Sequence, residues 1–84
     1  TSWKATFEVH VWENDIEITS KLPSTRFVWE RQSEYAAGDA AWKDRHSNDG
    51  QRLNVTYDDL MGDTSFICKF LSPSGHKVLT SITF

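Results

Sequence analysis

The 84-residue sequence predicts an all-β domain: a sandwich of two antiparallel sheets, with six or seven strands and one short helical turn in a long loop. Three observations carry this expectation. Short runs alternate apolar and polar side chains, the period of a half-buried strand. Clusters of Asn, Asp, Ser, Pro and Gly separate the runs. Finally, Trp29 stands inside the run TRFVWER, residues 25–31, with Phe27 two positions before it. On a strand Phe27 and Trp29 share a face, while Arg26, Val28 and Glu30 take the other. Trp29 should therefore fill the core while the opposite face meets water.

Taken in order, ATFEVHV at residues 5–11 puts Ala5, Phe7, Val9 and Val11 on one face of a first strand, opposite Thr6, Glu8 and His10. Glu13, Asn14 and Asp15 signal a turn, since Asn and Asp bond their own backbone. Ile16 and Ile18 begin a short second alternation that Pro23 ends, and the Trp29 strand follows. Residues 32–50 differ in kind, with few β-branched side chains. Within them residues 39–46 suit one or two helical turns, with Asp39 as N-cap and Ser47, Asn48, Asp49 and Gly50 as the exit. A loop of this length needs an anchor, and Trp42 is the candidate.

Residues 51–57 alternate again with Leu53, Val55 and Tyr57 in phase. A turn over residues 58–63 leads into residues 64–71, where Phe66, Cys68 and Phe70 point one way. Ser72, Pro73, Ser74 and Gly75 form a tight turn by composition. The last run, residues 76–84, sets Val78, Thr80, Ile82 and Phe84 against Leu79, Ser81 and Thr83. The faces bearing Phe7, Phe27, Phe66 and Val78 are all expected to serve the core.

The length holds one domain, residues 1–84. So small a domain buries only about 60% of the surface its unfolded chain exposes. A net charge of −3 argues against nucleic acid, whose phosphates call for basic patches. No apolar run approaches the roughly 18 residues of a membrane span. No signal peptide is evident, and the first residue is Thr1 rather than Met, as expected of a piece excised from a longer protein. The single cysteine, Cys68, allows no internal disulfide and no thiolate zinc site. It reads as a small buried hydrophobe.

Catalysis needs a nucleophile or an acid–base pair held in a pocket. His10, His46 and His76 show no metal-ligand spacing, and each reads as a solvated surface residue. Asp58, Asp59 and Asp63 could gather around calcium, but that ion takes six to eight oxygens, so turn chemistry is the simpler account. No Gly-rich phosphate loop is present. An enzyme is not expected, nor any cofactor or metal. Sugar binding is the sharper alternative, because stacking needs exposed aromatics beside hydrogen-bonding groups. Trp12 is out of phase with Val9 and Val11 and should point outward. Tyr35 lies in the long loop that also holds Arg45 and His46. These four are the candidate ligand contacts; the simpler account of Trp12 and Tyr35 is packing on the loop or on a neighbouring domain.

The core Trp followed by LNVTYDDLMGDTSFICKF, residues 53–70, resembles an immunoglobulin-type domain. Asp59, Gly62, Phe66 and Cys68 match loosely its corner, aromatic and cysteine, with a longer spacing. Phe66 replaces the corner tyrosine, and the partner cysteine is absent; Phe7, Val9 and Val11 would fill that space. If residues 5–11 are the second strand of this pattern, the first is truncated to residues 1–3 or lost. More narrowly, the chain resembles the Ig-like modules of tail and tail-fibre proteins of bacteriophages that infect Gram-positive bacteria. Phe27, Trp29, Arg31, Ser33, Asp39, Trp42, His46, Leu53, Val55, Asp58, Asp59, Phe66 and Cys68 carry this match, in order. The resemblance implies a non-catalytic spacer or adhesive unit on a virion tail or another extracellular protein. Its partners would be neighbouring domains or subunits and host cell-wall glycan. A carbohydrate-binding module or a bacterial surface adhesin domain of a secreted protein is the alternative.

Overall fold

The computed structural model describes residues 2–84, a mostly β structure with three small antiparallel sheets and one helix. Strand β1 (Lys4–Glu8) pairs with β5 (Arg52–Thr56), placing Ala5 opposite Val55 and Phe7 opposite Leu53. Strands β2 (Trp12–Glu13) and β3 (Ile16–Glu17) form a hairpin. The third sheet runs in the order β4 (Phe27–Gln32), β6 (Ser65–Leu71), β7 (Val78–Thr83). Helix α1 (Ala36–Arg45) connects β4 to β5 across the sheets.

The core lies between the β1–β5 pair and the β4–β6 pair: Val9, Phe27, Trp29, Trp42, Leu53, Val55, Phe66 and Cys68 are buried there. Phe7, Val11, Leu22 and Phe70 pack around them. Trp29 is only 1% exposed and sits opposite Cys68 in the ladder. Its indole Nε1–H donates to the Gly50 carbonyl at 2.7 Å, so the one polar atom of the ring is satisfied. Gly50 holds φ +69°, and a Cβ there would crowd Ser24, so the turn that offers this carbonyl requires glycine. Burying each large apolar side chain contributes about 1.5–3 kcal/mol, and these aromatics dominate a small core.

Several elements differ from the expected ones. The first strand leaves its ladder after Glu8, although Val9 N–H still reaches the Gln51 carbonyl at 2.9 Å. Val11 N–H then turns to Thr19 Oγ1 at 2.8 Å. Asn14 and Asp15 both take positive φ, 51° and 63°, the backbone of a tight hairpin turn, and this pulls residues 10–17 away as a separate ribbon. Ile16 lies exposed on it. The expected truncated strand at residues 1–3 falls partly outside the described residues, and residues 2 and 3 have no regular structure.

The long connection holds a ten-residue helix rather than one or two turns. It starts at Ala36, so Asp39 is not its N-cap; Tyr35 takes that position without a capping side chain. Trp42, fully buried, is part of the main core and not a local anchor: its ring centroid is 5.5 Å from that of Phe66. Tyr57 also departs from expectation. Thr56 and Asp59 form a capping box that starts a 3-10 turn over Tyr57–Asp59, turning the Tyr57 ring out to solvent. Strand β7 is exposed along its whole length, so the Val78 face does not serve the core as expected. Only two strands face the three-stranded sheet, and Phe84 alone reaches inward, stacking on Phe7 at 4.7 Å between centroids.

Trp29→Ala and Trp42→Ala should each lose about 3–5 kcal/mol, the usual cost of truncating a buried large aromatic. Urea unfolding checks both; a Trp42→Ala midpoint near the parent's would put Trp42 outside the core. Burial alone pushes the Cys68 thiol up to about 11. It should therefore resist a water-soluble thiol reagent in the native protein and react once denaturant is added.

Candidate functional site

Arg31 shares the inward parity of Phe27 and Trp29 on β4, and its side chain is buried. A buried guanidinium must be paired. Its Nε–H donates to Asp39 Oδ1 at 2.6 Å and its Nη1–H to the Asp59 carbonyl at 3.1 Å. Asp39 in turn accepts from Ser33 Oγ at 2.6 Å and from Ser33 N–H at 2.9 Å. Asp59 accepts the Trp42 Nε1–H at 3.1 Å through Oδ1 and the Thr56 N–H at 2.7 Å through Oδ2. Among the described residues no buried side-chain nitrogen or oxygen lacks a partner. This network joins β4, α1 and the 3-10 turn.

The four expected contacts are dispersed. Trp12, 62% exposed, lies on the β2–β3 hairpin opposite Glu17. Tyr35, 55% exposed, stands before α1, its ring against Gly38, where a Cβ would clash with it. Arg45 and His46 lie at the other end of α1, about 15 Å away at 1.5 Å per residue. Arg45 is exposed, whereas His46 stacks on Trp42 at 4.1 Å between centroids and donates through Nδ1 to Asp49 Oδ2 at 2.6 Å. His46 thus helps seat the helix, and Tyr35 stands at the opposite end of α1 from Arg45 and His46.

Two arrangements were not legible in the sequence. Beside Trp12, His10 contacts Glu17 at 3.2 Å and Glu8 at 3.4 Å, and Glu8 also pairs with Arg52 at 2.7 Å. The Glu17 hydrogen bond, with Glu8 behind it, raises the His10 pKa above its ordinary value. Only the hairpin turn brings these side chains beside an exposed indole. The second arrangement is a shallow cleft of about 180 Å³ between β4 and α1, lined by Phe27, Val28, Trp29, Lys43, Asp44 and Ser47. That is below the roughly 300–1,000 Å³ of small-molecule sites. Near it Glu30 accepts from Lys43 at 3.0 Å and Lys69 at 3.1 Å. Partial burial pushes the Glu30 carboxyl up, but the two lysines outweigh it and leave it below its ordinary value.

Comparison with protein-family models, curated proteins and solved structures returns no match for this chain.

The Ser33 hydroxyl, followed by Arg31, holds the Asp39 carboxyl below its ordinary value against the opposing pull of desolvation. A depressed carboxyl contributes stability that is complete above about pH 5, where the unfolded aspartate is ionised, and that is lost as pH falls through the unfolded and then the folded value. Urea unfolding at neutral and acid pH should show a smaller acid loss for Asp39→Asn than for the parent. An unchanged loss would remove Asp39 from the acid response.

Proposed function

We propose that the chain is a non-catalytic Ig-like module of a phage tail or virion surface protein, serving as a spacer between neighbouring domains or subunits. One observation carries the reading: β1 pairs with β5 while β4, β6 and β7 form the facing sheet, with Trp29 opposite Cys68. That connectivity supports an Ig-like sandwich in which β1 and β5 belong to one sheet. The motif residues behind the resemblance have matching structural work. Phe27, Trp29, Trp42, Leu53, Val55, Phe66 and Cys68 are core, and Arg31, Ser33, Asp39 and Asp59 are the network. A spacer needs such rigidity and asks nothing further of its surface. A virion tail or another extracellular setting follows from the same reading.

Weak contact with host cell-wall glycan is the second reading, and the exposed Trp12 beside Glu17 and His10 favours it. One indole offers a stacking face, and the adjoining polar groups can bond hydroxyls. Such a contact would also suit a carbohydrate-binding module or a surface adhesin domain of a secreted protein. A single aromatic contact gives affinity on the order of 0.1–1 mM, or about 4–5 kcal/mol, and several copies acting together would make it useful.

Titration with cell-wall oligosaccharides, read by backbone amide shifts, separates the two. Saturating shifts at Trp12 and Glu17 that vanish in Trp12→Ala would establish glycan contact at the hairpin. Shifts at Tyr35 or Arg45 instead would place it on α1. No shift at several millimolar ligand leaves the spacer alone.

A further inference from the structure

We propose that His10 is a proton-dependent clasp that holds the Trp12 hairpin against the end of β1. The hairpin has little else to hold it, because Trp12, Glu13, Ile16 and Glu17, the four residues of β2 and β3, are all exposed. A two-stranded ribbon with no buried side chain is marginal in water. At its base, Ile18 N–H donates to the Val11 carbonyl at 2.9 Å, and Val11 N–H to the hydroxyl of buried Thr19 at 2.8 Å. Beyond that base, His10 links Glu17 of β3 to Glu8 of β1.

Both ring nitrogens face carboxylates, and the two carboxylates come from different elements. Nδ1 lies 3.2 Å from Glu17 Oε2, and Nε2 lies 3.4 Å from Glu8 Oε2. Only the imidazolium carries a proton on both nitrogens. A neutral ring has one N–H, so in either tautomer a lone pair is turned toward one carboxylate and the bridge opens. Glu8 then keeps a second partner, with Arg52 Nη2 of β5 2.7 Å from its Oε1. Among the described residues Glu17 makes no other ion pair. Residues 5–20 hold four carboxylates, Glu8, Glu13, Asp15 and Glu17, and no Lys or Arg. His10 is therefore the one positive charge this stretch can supply, and losing it leaves Glu8 and Glu17 on either side of an uncharged ring.

Trp12 is the cross-strand partner of Glu17, so both side chains stand on one face of the ribbon. Moving Glu17 moves the indole with it. The two carboxylates favour the charged ring, the same direction in which the hydrogen bond to Glu17 raises the His10 pKa. A raised imidazole pKa gives a contribution that is complete below the unfolded value, about 6.5, and lost as pH rises through the folded value. The ribbon is thus held below that folded midpoint and loosened above it. Exposed ion pairs add little to global stability, so the change is local to the ribbon and not a change in unfolding. The clasp stands whether or not Trp12 meets a glycan; if it does, that contact becomes pH-dependent.

An NMR titration of the whole chain from about pH 5 to about pH 9 tests it. The His10 ring protons should titrate with a midpoint above about 6.5, the value of an unperturbed imidazole. Over the same range the heteronuclear NOE of the Trp12, Glu13, Ile16 and Glu17 amides, a measure of backbone order, should fall. Glu17→Ala should lower the midpoint and leave those NOE values equally low at both ends of the titration. Glu13→Gln, which removes a charge from the ribbon's other face, should move the midpoint less than half as far. Amide positions over Phe66–Phe70 should stay unchanged in both variants, which shows that the domain remains folded. A parent midpoint at or below about 6.5, NOE values that do not follow it, or an equal response to Glu13→Gln and Glu17→Ala would each overturn the proposal.

Discussion

The buried Arg31 guanidinium is the constraint on which the rest of the structure depends. It sits on the core side of β4, where a charge can stay only if it is paired and hydrogen-bonded. Asp39 answers from α1 and the Asp59 carbonyl answers from the turn after β5. Those two partners are 20 residues apart in sequence, so one side chain ties together three elements that would otherwise be joined only by apolar contact. Asp59 closes the circuit by accepting the Trp42 indole N–H, which fixes the helix as it delivers its largest side chain to the core. Directional bonds of this kind select one docking of the helix, where apolar packing alone would tolerate several.

Seating the helix in this way has a cost in coverage. Trp42, Phe66 and Trp29 fill the space between the two sheets on the helix side, with Trp42 and Phe66 in ring contact. The facing sheet has only β1 and β5. Among the described residues nothing then lies over β7, and its apolar residues remain in solvent apart from the stacking of Phe84 on Phe7 and its approach to Trp29 at 5.7 Å. The domain is thus well packed at one flank and open at the other. An uncharged open edge is the natural consequence.

The surface features with chemical potential are spread out rather than gathered. The Trp12 hairpin, the start of α1 at Tyr35, and the C-terminal end of α1 with its adjoining cleft each hold only one or two usable groups. An architectural role fits such a surface better than tight recognition of a small molecule, which needs convergent groups around an enclosed volume. Under the glycan reading proposed above, affinity would come from several copies acting together.

Period-two alternation and turn composition were enough to locate the main strands, because those signals are local. Phe27 and Trp29 share a face for covalent reasons, and Leu53, Val55, Phe66 and Cys68 follow the same rule. Local signals failed where a long-range partner decided the outcome. Asp39 has the composition of an N-cap, yet its carboxylate is claimed by Arg31 and Ser33, and the helix begins before it. Tyr57 keeps the alternation in sequence, but the Thr56–Asp59 capping box ends the strand first. Tyr35, Arg45 and His46 are neighbours in the chain, and the helix between them sets the first apart from the other two. The alternation of residues 78–84 announced a strand but not which other strands would cover it. Side-chain period is a property of the chain itself; burial, charge pairing and the meeting of distant groups exist only once the sheets and the helix have packed.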